Sequence, residues 1–290
     1  MTRVRQQAAG SYALECSTVD DGGTALTVVA PYTVTVLDGA GTQVATGTPT
    51  YDSGADELTF AVPVASMPSL DTYTVTWTGV VSGAAVEWET EVELVGGFLF
   101  SIADLRARDT AFADTVKYPE ADLAEVRTAV EMVLEGEKAA AVAFVPRGRR
   151  ATLDGSGRDS LRLPDFEARS VLSITVDGTA WTGDDLTSII VDDDRLYRPG
   201  GALWPAGRRS IFVHYTHGRN FASAPIRRAG LTLAREYVSD PKNGFPARAT
   251  ATSIGDQMFR LTIAGRDGVT GLPDVDAAIG DHGRHRYGTG

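Results

Sequence analysis

The chain has 290 residues, 43% hydrophobic and 22% charged; this is ordinary globular usage, which excludes wholesale disorder and suits two domains at roughly 100–200 residues each. The longest apolar run, Ala139–Val145, falls far short of the roughly 18 residues a bilayer span needs, and the single cysteine, Cys16, excludes an intrachain disulfide framework or a cysteine-based zinc cluster. The net charge of −11 is uneven: residues 1–97 hold only Arg3 and Arg5 against twelve acids, so that segment carries −10 and the remainder −1.

Met1–Gly10 contains Arg3 and Arg5 but no apolar stretch, so no secretion signal is expected and the chain is expected to be made in the cytoplasm, off the membrane. Residues 10–96 alternate with period two. Thr33, Thr35 and Leu37 interleave with Val34 and Val36, and Thr72, Thr74, Thr76 and Thr78 with Tyr73, Val75 and Trp77. Val86, Trp88, Thr90, Val92 and Leu94 interleave with Glu87, Glu89, Glu91 and Glu93. That pattern sends two sets of side chains to opposite faces of a strand, one buried and one wet. Turn signals at Asp20–Gly23, Asp38–Gly41, Asp52–Gly54 and Pro68-Ser69 separate the runs, so residues 1–96 are expected to form an acidic, all-β, immunoglobulin-like sandwich. The acidity is read either as a solvated module or as a domain facing different surroundings from the rest.

After Gly96-Gly97 the period changes. Ser101 and Asp104 mark a helix start resembling a capping box, with a helix over about 101–108. Pro119-Glu120 opens a longer helix with Leu123, Val126, Val130, Val133 and Leu134 inward and Glu125, Arg127 and Glu131 outward. Gly136 weakens it, and 137–142 is left free to continue it. Residues 146–169 form a polar, arginine-rich stretch. Strands are expected at Val171–Val176, Ser188–Val191, Arg195–Arg198, Ser210–Tyr215 and Gln257–Ile263, with a third helix from Pro225 to Ser239. The tail from Gly265 is glycine-rich; within it, Leu272, Val275 and Ile279 sit on a short helix-competent segment too small to fold without a surface to cover them.

Catalytic patterns are missing from this sequence: no Gly-x-Ser-x-Gly elbow, phosphate-binding loop or His-Glu-x-x-His helix occurs. No enzyme, catalytic residue, metal site or cofactor is therefore expected. His214 and His217 fall on opposite faces of a strand, which favours a packed His214 over a metal pair. Asp192–Asp194 and Asp154–Asp159 read as hairpin turns, His282 and His285 as solvated tail residues, and Cys16 as a small buried hydrophobe. The one charged feature above background is the arginine stretch: Arg147, Arg149, Arg150, Arg158, Arg162 and Arg169, with Asp154, Asp159, Asp165 and Glu167 among them. Two readings stay open, a contact loop for phosphates or acidic protein and an exposed loop with internal ion pairs.

Several stretches, taken in order from Phe98 to Ile279, resemble the head-to-tail adaptor (connector, neck ring) proteins of long-tailed double-stranded DNA bacteriophages. They are Ser101-Ile102-Ala103-Asp104-Leu105-Arg106, Tyr118-Pro119-Glu120-Ala121, Phe144-Val145-Pro146-Arg147 and Leu161-Arg162-Leu163-Pro164-Asp165. Val213-His214-Tyr215-Thr216-His217-Gly218, the run Pro225–Tyr237 and Thr270–Ala277 complete the series. The resemblance implies a multidomain chain: the sandwich (1–96), an α+β connector domain with a helical core and a β-hairpin-rich insertion (97–264), and an extended C-terminal arm (265–290). It implies a ring of about twelve copies in the virion neck, joining the portal to a downstream stopper or tail-terminator protein around the DNA channel. Leu272, Pro273, Val275 and Ile279 become the candidate portal-docking arm, whose deletion is expected to leave a folded protein. Arg147, Arg149, Arg150, Arg158 and Arg162 become the candidate basic contact loop, near packaged DNA without sequence-specific binding. The alternative is a carbohydrate- or host-surface-binding sandwich, which needs exposed tryptophans, whereas Trp77 and Trp88 fall on the core-directed phase.

Overall fold

The period-two runs are realised as paired strands. The computed structural model describes residues 1–20, 23–239, 251–254, 257–260 and 268–283. In chain order the first strands are β1 (Thr2–Arg5), β2 (Ser11–Ser17), β3 (Val28–Leu37), β4 (Gln43–Gly47), β5 (Thr50–Asp52), β6 (Glu57–Pro63), β7 (Thr72–Val81) and β8 (Ala84–Val95). Helices α1 (Ile102–Arg108) and α2 (Glu120–Glu135) follow. A second run of strands comprises β9 (Arg147–Ser156), β10 (Ser160–Arg162), β11 (Ala168–Val176), β12 (Thr179–Ala180), the one-turn helix α3 (Asp184–Thr187), β13 (Ile190–Asp192), β14 (Arg195–Tyr197) and β15 (Ala206–His217). The chain closes with α4 (Ala224–Ser239), the hairpin β16 (Ala251–Ile254) and β17 (Gln257–Arg260), and α5 (Pro273–His282). Positions 261–263 of the expected last strand lie outside the described residues. The result is a β-rich chain with several separate sheets.

Two compact units emerge. One gathers Met1–Gly96, Arg147–Arg162 and Arg169–Thr216; the other gathers Gly97–Pro146, Leu163–Ala168 and His217–Gly290. The first break between the units falls at 96/97, most of the β insertion groups with the sandwich, and α5 groups with the helices.

In the first unit, a five-stranded sheet ordered β1-β8-β7-β3-β4 faces a three-stranded sheet ordered β2-β6-β5. Tyr12, Leu14 and Cys16 of β2 alternate with exposed neighbours and meet Val34, Val36, Tyr73, Val75 and Trp77 in one core. The sequence reading did not include β1, which pairs parallel with the end of β8 from Thr2↔Val92 to Arg5↔Val95. Four residues are too few for periodicity to show. The insertion adds a sheet ordered β12-β11-β15-β9 and a smaller one ordered β10-β14-β13. Gly148 of β9 lies so close to the sandwich that a Cβ there would sit 1.7 Å from the Leu70 carbonyl oxygen. Trp204, fully buried, stacks on Trp181 at 5.6 Å and donates its indole N–H to the Leu196 carbonyl at 3.1 Å.

The second unit is helical. Ser101 caps α1 as expected: its hydroxyl accepts the Asp104 N–H at 3.0 Å while the Asp104 carboxylate accepts the Ser101 N–H at 3.0 Å. Ser101→Ala is expected to cost about 1 kcal/mol of stability in thermal or urea unfolding, and an unchanged midpoint contradicts the cap. Arg106 ties the following turn by donating to the carbonyls of Phe112 and Tyr118. Leu123, Val130 and Leu134 of α2 pack against Ile226, Ala229, Leu233 and Ala234 of α4.

The outward assignment of Arg127 and Glu131 is corrected: both are buried. Glu131 accepts the Leu99 N–H at 2.7 Å, and the Arg127 guanidinium lies 3.4 Å from the centre of the Phe98 ring. A buried charge persists when such partners replace its water. Gly136 ends α2, and Ala139–Val142 do not continue it; they bury Ala139, Ala140 and Val142 through turns instead.

Candidate functional site

The two groups of residues singled out in the sequence are neither a loop nor a free arm. The arginine stretch begins as strand β9, so its side chains part to alternate faces. Arg147 is buried, its Nε 3.8 Å from Glu93, which also accepts from Arg3 Nε at 2.7 Å. Arg150 donates Nε to Asp71 at 2.8 Å and Nη2 to Asp38 at 2.9 Å. Arg162 pairs with Asp194 at 2.7 Å, while Arg149 and Arg158 are exposed. Of the two readings, the internal ion pairs are what the structure shows, on a strand and not in a loop. Arg147, Arg150 and Arg162 are engaged within their own unit, and the first two neutralise acids of the sandwich.

Around Asp71 these pairs form a polar seam between sandwich and insertion. Asp71 is buried and accepts the Gly39 N–H at 3.2 Å, the Thr72 N–H at 3.0 Å and Arg150. His214 is packed, as expected, with Nε2 2.9 Å from the Leu70 carbonyl oxygen and 4.0 Å from Asp71. Burial holds the His214 imidazole below its ordinary range, outweighing the Leu70 bond and the Asp71 charge. Burial, with Glu57 nearby, pushes the Cys16 thiol up to about 11, and burial reinforced by Asp71 pushes the Tyr73 phenol up to about 12. His217 belongs to the other unit, 3.8 Å from Asp165.

The candidate docking arm folds back on its own unit. Val275 and Ile279 of α5 are fully buried in the core that holds Ile226 and Leu233, and Leu272 packs at its edge. Pro273 occupies the first turn and is exposed. The apolar surface that the segment required is supplied by α4.

One surface feature was not read from the sequence. Arg108 at the end of α1 and Arg227 and Arg228 in the first turns of α4 line a depression of about 380 Å³ together with Ala222, Ala224 and Leu231. Phe221, adjacent in sequence, is 76% exposed. Arg227 pairs with Asp104 at 2.6 Å; hydrogen bonds from Ser101, then Arg227, hold that carboxyl below the usual range. Arg108 and Arg228 make no ion pair among the described residues and also border a larger groove of about 690 Å³ between α4 and α5. Arg227-Arg228 following Pro225 is visible in sequence, but Arg108 joins them only through the helix packing.

No protein-family profile matches this chain, and no curated protein does. Among solved structures, the crystal structure of CopC from Methylosinus trichosporium OB3b is similar at 19% identity and a TM-score of 0.22, over 32% of this chain and 81% of that one. A likeness of that size carries no function across. Among the described residues, no group of three or more histidine, cysteine, aspartate or glutamate side chains gathers to hold a metal ion, and no helix is long and apolar enough to cross a membrane.

Proposed function

We propose that this chain is a structural virion protein, a head-to-tail adaptor whose copies form a ring of about twelve between the portal and the downstream neck proteins. In this reading residues 97–264 carry the α+β connector domain, 265–290 are its C-terminal arm, the sandwich is an added immunoglobulin-like module, and no chemistry is performed.

The observation that supports it is where the resembling stretches meet. Ile102 and Leu105, Tyr118, Phe144, Ile226 through Ala234, and Leu272 with Val275 are far apart in sequence, yet they contribute to a single apolar core. Five of the seven resembling stretches thus contribute to one core, while Leu161–Arg162 and Val213–Thr216 belong to the other unit, so the support comes from the helical stretches. The carbohydrate- or host-binding alternative, which needs exposed tryptophans in the sandwich, has less support: Trp77 is fully buried and Trp88 is half-buried against the sandwich core.

The test is negative-stain imaging of the purified protein alone and mixed with its cognate portal. Rings of uniform copy number seated on the portal are the expected result. A monomer that stays apart from the portal at every concentration overturns the reading.

A further inference from the structure

We propose that the arginine depression bounded by Arg108, Arg227 and Arg228 receives the glutamate ladder Glu87, Glu89 and Glu91 of a neighbouring copy of this chain. The proposal rests on the ring reading above and names the contact that would close the ring.

The ladder is formed by the geometry of β8. Glu87, Glu89 and Glu91 are exposed at alternate positions, so they share one face with a repeat of about 7 Å. Their cross-strand partners on β7 are Thr78, Thr76 and Thr74, which are neutral. Beyond them β1 covers β8 only from Val92 onward, so the glutamate stretch lies along an open sheet edge. Charge on an open edge discourages a foreign strand from pairing there. It does not explain why the three charges have one sign and make no ion pair among the described residues.

The depression supplies the missing counter-charge. Arg108 and Arg228 are exposed and make no ion pair among the described residues, and Phe221, next in sequence to the lining residue Ala222, is exposed. Guanidinium groups take carboxylates through paired N–H donors, a geometry that fixes register as well as attraction. Two ladders facing each other would repel, and so would two arginine faces. A ladder meeting a depression is attractive, and it is a head-to-tail contact between two different patches, the kind that closes into a ring. A duplex phosphate backbone could also be drawn to three arginines, but residues 1–97 carry a net −10. That charge opposes the approach of a duplex, and in each neighbouring copy it is itself the source of the carboxylates the depression would take.

The test exploits the lone cysteine. Cys16 is buried, so it does not compete when Glu89→Cys and Arg228→Cys are placed in one full-length chain. A short bis-maleimide cross-linker, which spans the reach of a Glu–Arg pair that a direct disulfide does not, should then give a ladder of thioether-linked dimers, trimers and larger species on denaturing gels, whereas mixing the two single variants should stop at dimers. Independently, the reversal R108E/R228E should lower self-association about tenfold in sedimentation or mass photometry. Adding E87R/E89R/E91R in the same chain should restore it. Circular dichroism checks that each variant folds; if a reversal variant does not, the cysteine trap still decides.

Rings without a cross-linked ladder overturn this pairing and leave the ring reading intact, whereas no rings from the wild-type protein with its portal overturn both. If R108E/R228E still forms rings but loses binding to a fluorescent duplex DNA, the depression is a DNA surface and the proposal fails.

Discussion

Asp71→Ala is expected to destabilise the first unit by about 3–5 kcal/mol, because it leaves a half-buried cation and two backbone donors without their acceptor. Asp71 lies at the join of three segments far apart in sequence: it accepts from Gly39 before β4, from Arg150 on β9, and stands 4.0 Å from His214 on β15. Asp38 remains to Arg150 through Nη2, but the Nε contact is lost. For a unit of this size the melting temperature should fall by roughly 10 °C. Asp71→Asn keeps an acceptor of the same shape and should lose less than half as much. Thermal melts of the three proteins decide it, and a fall of only a degree or two for the alanine variant would show that the seam is incidental to stability.

Ile279→Ala should cost about 2–5 kcal/mol of the contact that holds α5 on α4. The ten-residue helix is anchored by Val275 and Ile279, with Asp276 accepting from the Thr270 N–H at 2.9 Å and its hydroxyl at 3.0 Å. With so few anchors the loss should appear locally, as faster hydrogen exchange over 273–282 while α2 and the body of α4 stay protected. Equal protection in variant and wild type contradicts the docking described here. The same packing changes what a tail deletion should do. Removing residues 265–290 uncovers Ile226 and Leu233, so the truncated protein should be less stable, not merely shortened. Loss of portal binding on truncation therefore reports on the arm only if folding is measured beside it.

The sandwich was readable because its outer face is wet. Thr72, Thr74, Thr76 and Thr78 alternate with Tyr73, Val75 and Trp77, and nothing else produces that rhythm. The α1 cap was equally legible, since Ser101 and Asp104 satisfy each other within four residues. Where partners are distant, sequence failed. Strand β9 carries charged residues whose acceptors are Asp38, Asp71 and Glu93, so it read as an exposed loop. Arg127 and Glu131 read as outward because charge on a helix is normally solvated; the groups that let them enter, the Phe98 ring and the Leu99 N–H, precede α1. For α5 the need for an apolar surface was legible, but not that the same chain provides it. The depression of Arg108, Arg227 and Arg228 escaped notice for a related reason: helix packing alone makes neighbours of α1 and α4.

The interleaving of the two units bears on how the chain must be made. The first unit opens at Met1 but is finished only by β15, at Ala206–His217, and the second opens at Gly97 and waits for α5 at Pro273–His282. Emerging from the ribosome, the sandwich strands have their own hairpin partners and Glu93 already has Arg3, yet Asp38 and Asp71 have to wait for Arg150, translated later. A nascent chain that ends before β9 therefore holds Asp38 and Asp71 without the guanidinium that bridges them, and the seam closes only once Arg150 and then His214 have been made.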